Sequence, residues 1–202
     1  MIRGAVLEGC SGVGKTSLLK AVKRRQAQLG PERSVVVLSE HFSQALQKTR
    51  GGYEELSLAE HRQLLAERLG ALESLQAWAA RAGDASRDTC GVFFLLERFH
   101  LNHRTSFPED AEWSAALESR LGALGAVCFL LTASPAVARE RLVARRGALR
   151  QSEIPSFADR QRLLLRASQA SRLRTVVLAT DDGDWERCAA AVLAALDLVP
   201  PQ

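Results

Sequence analysis

The stretch that decides the fold is Gly9-Cys10-Ser11-Gly12-Val13-Gly14-Lys15-Thr16, preceded by the apolar run Gly4 to Glu8 and followed by a helical pattern from Lys15 to about Leu29. It fits G-x-x-x-x-G-K-[ST] at every required position, and a strand before it with a helix after it is the context that gives the pattern meaning. The glycines let the backbone curl tightly and point its N–H groups inward, which makes a cradle for phosphate oxygens. The helix beginning at Lys15 adds its positive dipole end. Lys15 carries a fixed charge to the β- and γ-phosphates, and the Thr16 hydroxyl suits a magnesium ion. The expected ligand set for a nucleoside triphosphate is therefore Gly9, Cys10, Ser11, Gly12, Val13, Gly14, Lys15, Thr16 and Ser17.

Outward from this loop the chain alternates strand and helix to its end. Ser34 to Ser39 contains Val-Val-Val-Leu, a β-branched run that reads as a buried strand. His41 to Tyr53 reads as a short helix, then a loop at Gly51-Gly52. The Ser57-x-x-Glu60 spacing is a capping box, and Leu58, Leu65, Leu69, Leu72 and Leu75 continue at helical spacing. Gly83 to Asp88 breaks that helix, and Gly91 to Leu96 is an apolar strand. A second capping-box spacing, Ser106-x-x-Glu109 with Pro108, predicts a helix to about Leu124. Ala126 to Thr132 is a fourth strand, Ser134-Pro135 opens a helix to about Arg146, and Ser156 caps another. Thr175 to Ala179 is a fifth strand, and a last helix runs from Asp184 to Leu196, with Asp184 as its cap. Five apolar strands separated by helices imply a five-stranded parallel sheet covered on both faces, in one α/β domain over residues 1–202.

The bulk properties exclude several classes. A composition 47% hydrophobic over 202 residues is that of a globular protein with a core. The apolar runs Val35 to Leu38 and Ala126 to Leu131 are too short to cross a bilayer, and no signal-peptide pattern opens the chain, so a cytoplasmic protein without a membrane partner is expected. Cys10, Cys90, Cys128 and Cys188 lack metal-ligand spacing and read as reduced thiols. All but four of the 27 basic residues are arginine, and ten of them lie between Arg139 and Arg174 against Glu140, Glu153 and Asp159. That excess suits a small polyanion such as ATP. Aromatic residues, at 5%, do not interleave with it, which argues against a nucleic-acid stacking platform.

The opening Leu7-Glu8-Gly9-Cys10-Ser11-Gly12-Val13-Gly14-Lys15-Thr16-Ser17 resembles the start of deoxynucleoside and thymidylate kinases, and three later sites extend the likeness. Glu40, closing the second strand, stands where that family has a Glu-Pro motif. The resemblance makes it the base for an acceptor hydroxyl, although His41 replaces the proline. Phe93-Phe94-Leu95-Leu96-Glu97-Arg98-Phe99 is similar to the family's strand ending in Glu-Arg-Ser or Asp-Arg-Tyr, with Arg104 and Phe107 in the family's positions beyond it. This implies Glu97 beside Mg²⁺ with Thr16, and Arg98 and Arg104 on the acceptor. Leu130-Leu131-Thr132-Ala133-Ser134-Pro135, followed by Arg141, Arg145, Arg146 and Gly147, is similar to the strand, capped helix and arginine-bearing lid. It implies Arg145, Arg146 and Arg150 in a lid over residues 145–157 that closes on the triphosphate.

Taken together the resemblance implies a P-loop NTPase fold, ATP and Mg²⁺ as cofactors, and γ-phosphoryl transfer to a small acceptor. Lys15, Glu40, Arg98, Arg145 and Arg146 would be catalytic, and Glu40, Glu97, Arg98 and Arg104 would face the acceptor. A nucleoside or nucleoside monophosphate is the leading acceptor; Arg50, Arg98 and Arg104 are the candidates for holding a monophosphate. An antibiotic or other non-nucleotide alcohol is the alternative that the departures at His41 and Phe99 to His103 motivate. A regulatory or nucleic-acid-linked ATPase is a third reading, and the absence of an N-K-x-D motif argues against a GTPase. His100 and His103, three apart without further ligands, read as exposed or substrate-facing. The family also implies a homodimer packed through helices, with the helix from Ser57 as the candidate face.

Overall fold

The computed structural model describes residues 2–29, 34–40, 43–49, 52–83, 91–146 and 153–198. Its central sheet has five parallel strands: β1 (Ile2–Glu8), β2 (Ser34–Leu38), β5 (Val92–Glu97), β6 (Ala126–Thr132) and β7 (Thr175–Ala179). They lie in the order β2-β5-β1-β6-β7. β1 is central and pairs with β5 from Ile2↔Val92 to Leu7↔Glu97 and with β6 from Gly4↔Ala126 to Glu8↔Leu130. The chain therefore builds one half of the sheet, then returns past β1 to build the other. The crevice outside the carboxyl end of β1 is the switch point where such sheets bind ligands.

The three inner strands are almost wholly buried, as continuous apolar runs between two helical layers should be. Gly4 is required within β1 because a Cβ there would lie 2.2 Å from the ring of its cross-strand partner Phe94. β2 was expected to be buried but is an edge strand, and Val35 to Leu38 are only half covered. On one side of the sheet α1 (Lys15–Leu29) packs against α7 (Trp185–Ala195). On the other, α3 (His100–Ser106) packs against α4 (Ala111–Ala123) and α6 (Glu153–Gln169), and α2 (Leu58–Gly83) packs against β5 and α4. α5 (Pro135–Arg146) follows β6 and meets α6. The α2 capping box forms: Ser57 Oγ accepts from Glu60 N, and the Glu60 carboxylate accepts from Ser57 N at 2.8 Å. Leu65, Leu69 and Leu72 carry that helix into the core. No helix among the described residues is long and apolar enough to cross a membrane.

Two local expectations are corrected. The segment read as a short helix and a loop contains instead a hairpin of β3 (Leu46–Thr49) and β4 (Gly52–Glu55), running from Leu46↔Glu55 to Thr49↔Gly52, with Gly52 opening its second strand. The Ser106-x-x-Glu109 box does not open a helix, because Ser106 ends α3 and Asp110 is the residue before α4. Asp110 makes no side-chain cap either, since its carboxylate is bound to Arg62 and His103. α3 was not foreseen. Its first N–H groups are satisfied from another strand: Glu8 Oε1 accepts from Phe99 N at 2.8 Å and Leu101 N at 2.9 Å.

Candidate active site

The loop between β1 and α1 is shaped by what surrounds it. Gly12 and Gly14 have φ of 88° and 96°. A Cβ on Gly12 would lie 2.8 Å from the Ala138 carbonyl oxygen, and one on Gly14 would lie 2.0 Å from the Trp185 indole. Glycine is thus demanded by both conformation and neighbours. Val13 is buried, and its carbonyl accepts from the Thr180 hydroxyl at 2.8 Å, which ties the loop to the end of β7. Ser11 and Ser17 are not buried, whereas Cys10 faces inward with its thiol pushed up by burial. Lys15 Nζ donates to the carbonyls of Gly9 and Cys10, both at 3.0 Å. Burial, then the nearby Arg98 charge, pulls this ammonium down to about 8, against the opposing pull of Glu40 and Glu97.

The carboxylates arrive from neighbouring strand ends. Glu97 ends β5, and its Oε1 accepts from the Thr16 hydroxyl at 3.3 Å. Burial raises the Glu97 carboxyl above its ordinary range, with Lys15 opposing. Glu40 follows β2 and forms an ion pair with Arg98 Nε at 2.9 Å, while Arg98 Nη2 donates to Ser11 Oγ at 2.8 Å. Arg98 thus bridges the phosphate loop and the second strand end. Its backbone sits at φ 53°, a left-handed conformation that costs about 1–2 kcal/mol for a residue with a Cβ. Arg98 N donates to the Leu7 carbonyl at 3.0 Å, and Glu8 holds the next N–H, so β1 enforces the sharp turn. That turn brings Glu97 and Arg98 into the same crevice from consecutive positions.

The donor set fits a magnesium ion. Thr16 and Glu97 supply hard oxygens in contact with one another, and Mg²⁺ is ordinarily held by one or two such groups together with water and substrate phosphates. Among the described residues no group of three or more His, Cys, Asp or Glu side chains is placed to cage a metal.

Two cavities meet here. The first, about 600 Å³, lies over the loop and is lined by Lys15, Thr16, Glu40, Arg98, Arg145 and Trp185. The second, about 650 Å³, lies between the β3–β4 hairpin, α3 and α6, with Leu46, Glu55, Asn102, Phe107, Phe157 and Arg160 on its walls. Ser11, Arg98 and Leu142 line both. The first cavity also has a wall that the sequence reading missed: the Arg141 guanidinium lies 5.1 Å from the Trp185 ring and donates to Thr180 Oγ1 at 3.3 Å. An aromatic residue directly after the Asp184 cap was the available signal. That cap forms as expected, with Asp184 accepting from Arg187 N at 2.9 Å.

The structure therefore brings Lys15, Thr16, Glu40, Glu97, Arg98 and Arg145 together. Arg104 is not among them. Its guanidinium is held by Glu118 through two hydrogen bonds of 3.0 Å, and it lines neither cavity. His100 and His103, expected at the surface or facing substrate, are fully buried. His103 joins a network with His61, Asp110 and Arg62, and His100 lies 3.7 Å from Glu8. Of the expected lid, residues 147–152 and the Arg146 side chain lie outside the described residues, as do His41, Arg50 and Cys90; Arg150 falls in that gap. Cys10, Cys128 and Cys188 are free and buried.

No family model matches the chain, and no curated protein matches it. Solved structures do. The YorR protein of Bacillus subtilis, crystallised in complex with phosphorylated GDP, is 14% identical over 96% of both chains with a TM-score of 0.59. A gluconokinase from Sinorhizobium meliloti 1021 is 18% identical over 96% of this chain and 91% of its own, with a TM-score of 0.50. At such identities the likeness establishes the fold, a P-loop NTPase α/β domain with a five-stranded parallel sheet.

Proposed function

We propose that this chain is an ATP-dependent phosphotransferase that carries the γ-phosphoryl group of Mg-ATP to a hydroxyl of a small acceptor bound in the second cavity. One observation carries the reading: the crevice over the phosphate loop and the second cavity share Ser11 and Arg98, so a donor and an acceptor would meet across one guanidinium. A second cavity of about 650 Å³ beside the phosphate loop is room enough for a small acceptor.

In this reading the loop N–H groups and Lys15 hold the triphosphate, and Mg²⁺ on Thr16 and Glu97 would neutralise its β- and γ-oxygens. Glu40, half-exposed at the crevice, takes the proton of the attacking hydroxyl. Arg98, held against Glu40 and Ser11, lies where charge develops on the transferring group. Trp185 and Arg141 offer a flat wall for the purine, and Arg145 closes toward the phosphates from α5.

The acceptor we favour is a nucleoside or a similarly sized polar alcohol rather than a monophosphate. Arg104 is engaged by Glu118, and besides Arg98 the charged groups on the cavity wall are the mixed set Glu55, Asp159 and Arg160. Phe107, Leu56 and Phe157 supply apolar surface for a ring. The fold neighbours are a nucleotide-bound protein and a sugar-acid kinase, which agrees with either kind of ring-bearing or open-chain alcohol. The test is transfer from γ-labelled ATP with Mg²⁺ to a panel of nucleosides, nucleoside monophosphates, sugar acids and antibiotic alcohols. Labelled product from one class of alcohols, lost in Glu40→Gln, supports the reading. Labelled inorganic phosphate as the sole product across the panel sinks it, and product from monophosphates alone sinks the role of Glu40.

A further inference from the structure

Behind the crevice lies a chain of hydrogen bonds with too many acceptors. His61 Nε2 faces the Ser43 carbonyl at 3.0 Å, His61 Nδ1 faces His103 Nδ1 at 3.0 Å, and His103 Nε2 faces Asp110 Oδ2 at 2.9 Å. Both rings are fully buried. The carbonyl can only accept, so His61 Nε2 must carry a proton. Asp110 is kept ionised, because Arg62 donates to both of its oxygens and holds its carboxyl below the usual range. His103 Nε2 must then carry a proton as well. The contact between the two Nδ1 atoms needs a third. Two neutral imidazoles supply only two ring protons, so three closed links require an imidazolium.

We infer that His61 and His103 share one extra proton, as a buried imidazole–imidazolium pair, and that the pair is a positioning element for the turn carrying Glu40. The connection runs through Ser43. Its carbonyl is held by His61, its hydroxyl donates to the Glu97 carbonyl, and its N–H and that of Gln44 donate to the Glu40 carbonyl at 3.3 and 3.1 Å. One side of Ser43 thus answers to the pair, and the other to the main-chain carbonyls of Glu40 and Glu97.

The surroundings oppose the charge and support it in turn. Burial pulls His61 down to about 4 and His103 below the imidazole range, while Asp110 lifts His103. The charged groups facing the pair are Arg62 on α2, Arg104 on α3 and Asp110 before α4; Phe107 and Trp113 cover the His103 ring at 5.2 and 4.6 Å. Arg104 is itself neutralised by Glu118. When the proton leaves, two lone pairs face each other at one of the three links, and that link opens. The titration belongs to the pair and not to either ring.

The inference does not depend on the phosphoryl-transfer reading, and its test needs no acceptor. Ring-nitrogen NMR of the full chain, followed over roughly pH 5 to 9, should show His61 and His103 shifting together in one single-proton step. Over that step the exchange protection of the Ser43 and Gln44 amides should fall about five- to tenfold, as expected from one lost buried hydrogen bond. In His103→Gln, whose amide can still donate to Asp110, the step in protection should vanish. In Asp110→Asn the shared titration should move to lower pH, which gives a second variant if the first does not fold. Two neutral rings across the whole range, or two independent titrations, would overturn the shared proton. A shared titration without any step in Ser43 and Gln44 protection would overturn the positioning role.

Discussion

Glu8 offers the sharpest quantitative test of how the site is held. Its side chain is 1% exposed, and burial raises its carboxyl from an ordinary 4.5 to about 7, although three backbone N–H groups and Lys15 pull the other way. The folded state therefore keeps this proton to a higher pH than the unfolded chain does. Between pH 4.5 and about 7 the folded form binds more protons, so stability falls as pH rises through that window and stays reduced above it. The gap between 4.5 and about 7, at roughly 1.4 kcal/mol for each pH unit, amounts to about 3 kcal/mol. Glu8→Gln removes the ionisation and keeps the acceptor, because both Phe99 N and Leu101 N donate to the same oxygen, Oε1. The variant should match the wild type near pH 4.5 and exceed it by about 3 kcal/mol at pH 8, a rise in Tm of roughly 6–12 °C for a chain of this size. Urea unfolding followed by circular dichroism at pH 5, 6, 7 and 8 measures the difference. A gap that is the same at pH 5 and pH 8, or a variant less stable at pH 8, would show that Glu8 is not a carboxyl burdened by burial.

Other outcomes are fixed by the same geometry. Because Lys15 loses its proton near pH 8 in the free protein, triphosphate affinity should fall above that pH and binding at pH 8 should take up a proton; calorimetry in buffers of different ionisation enthalpy reads both. Trp185→Ala should weaken ATP binding by about 1–3 kcal/mol, while Trp185→Phe keeps most of it, as measured by equilibrium titration with a fluorescent nucleotide. Arg104→Ala leaves the buried Glu118 without its charged partner, with only the Arg172 N–H still donating to it, and should lower stability by about 3–5 kcal/mol in denaturant titration, without raising KM for an acceptor.

The parts of this molecule legible in the sequence are those set by local pattern. The phosphate loop, the alternation of five apolar strands with helices, the Ser57 capping box and the Asp184 cap all depend on residues within a few positions of one another. The parts that were not legible depend on partners far along the chain. α3 exists because Glu8, more than ninety residues away, satisfies its first N–H groups. Asp110 does not cap α4 because Arg62 claims it from α2. His100 and His103 carry no sign of burial in their own polar, helix-length segment; α2, α4 and α6 cover them. Arg104 matched a family position, yet the buried carboxylate of Glu118 one helix later decides where it points. Glu97 and Arg98 were legible as a pair, whereas the left-handed turn that aims both into one crevice was not.

The contact between Gly14 and Trp185 has a practical consequence. The chain has three tryptophans, and the structure places them in three different settings. Trp78 stands exposed on α2, Trp113 lies against the His103 ring, and Trp185 forms a wall of the phosphate crevice. Indole emission responds to a neighbouring charge or stacked ring, and an imidazolium quenches it. Replacing Trp78 and Trp113 with phenylalanine would leave an emitter that reports crevice occupancy without a label. Replacing Trp78 and Trp185 instead would leave one that reports the charge on the buried histidines. The molecule thus contains two native optical gauges, one in the phosphate crevice and one beside the buried histidines.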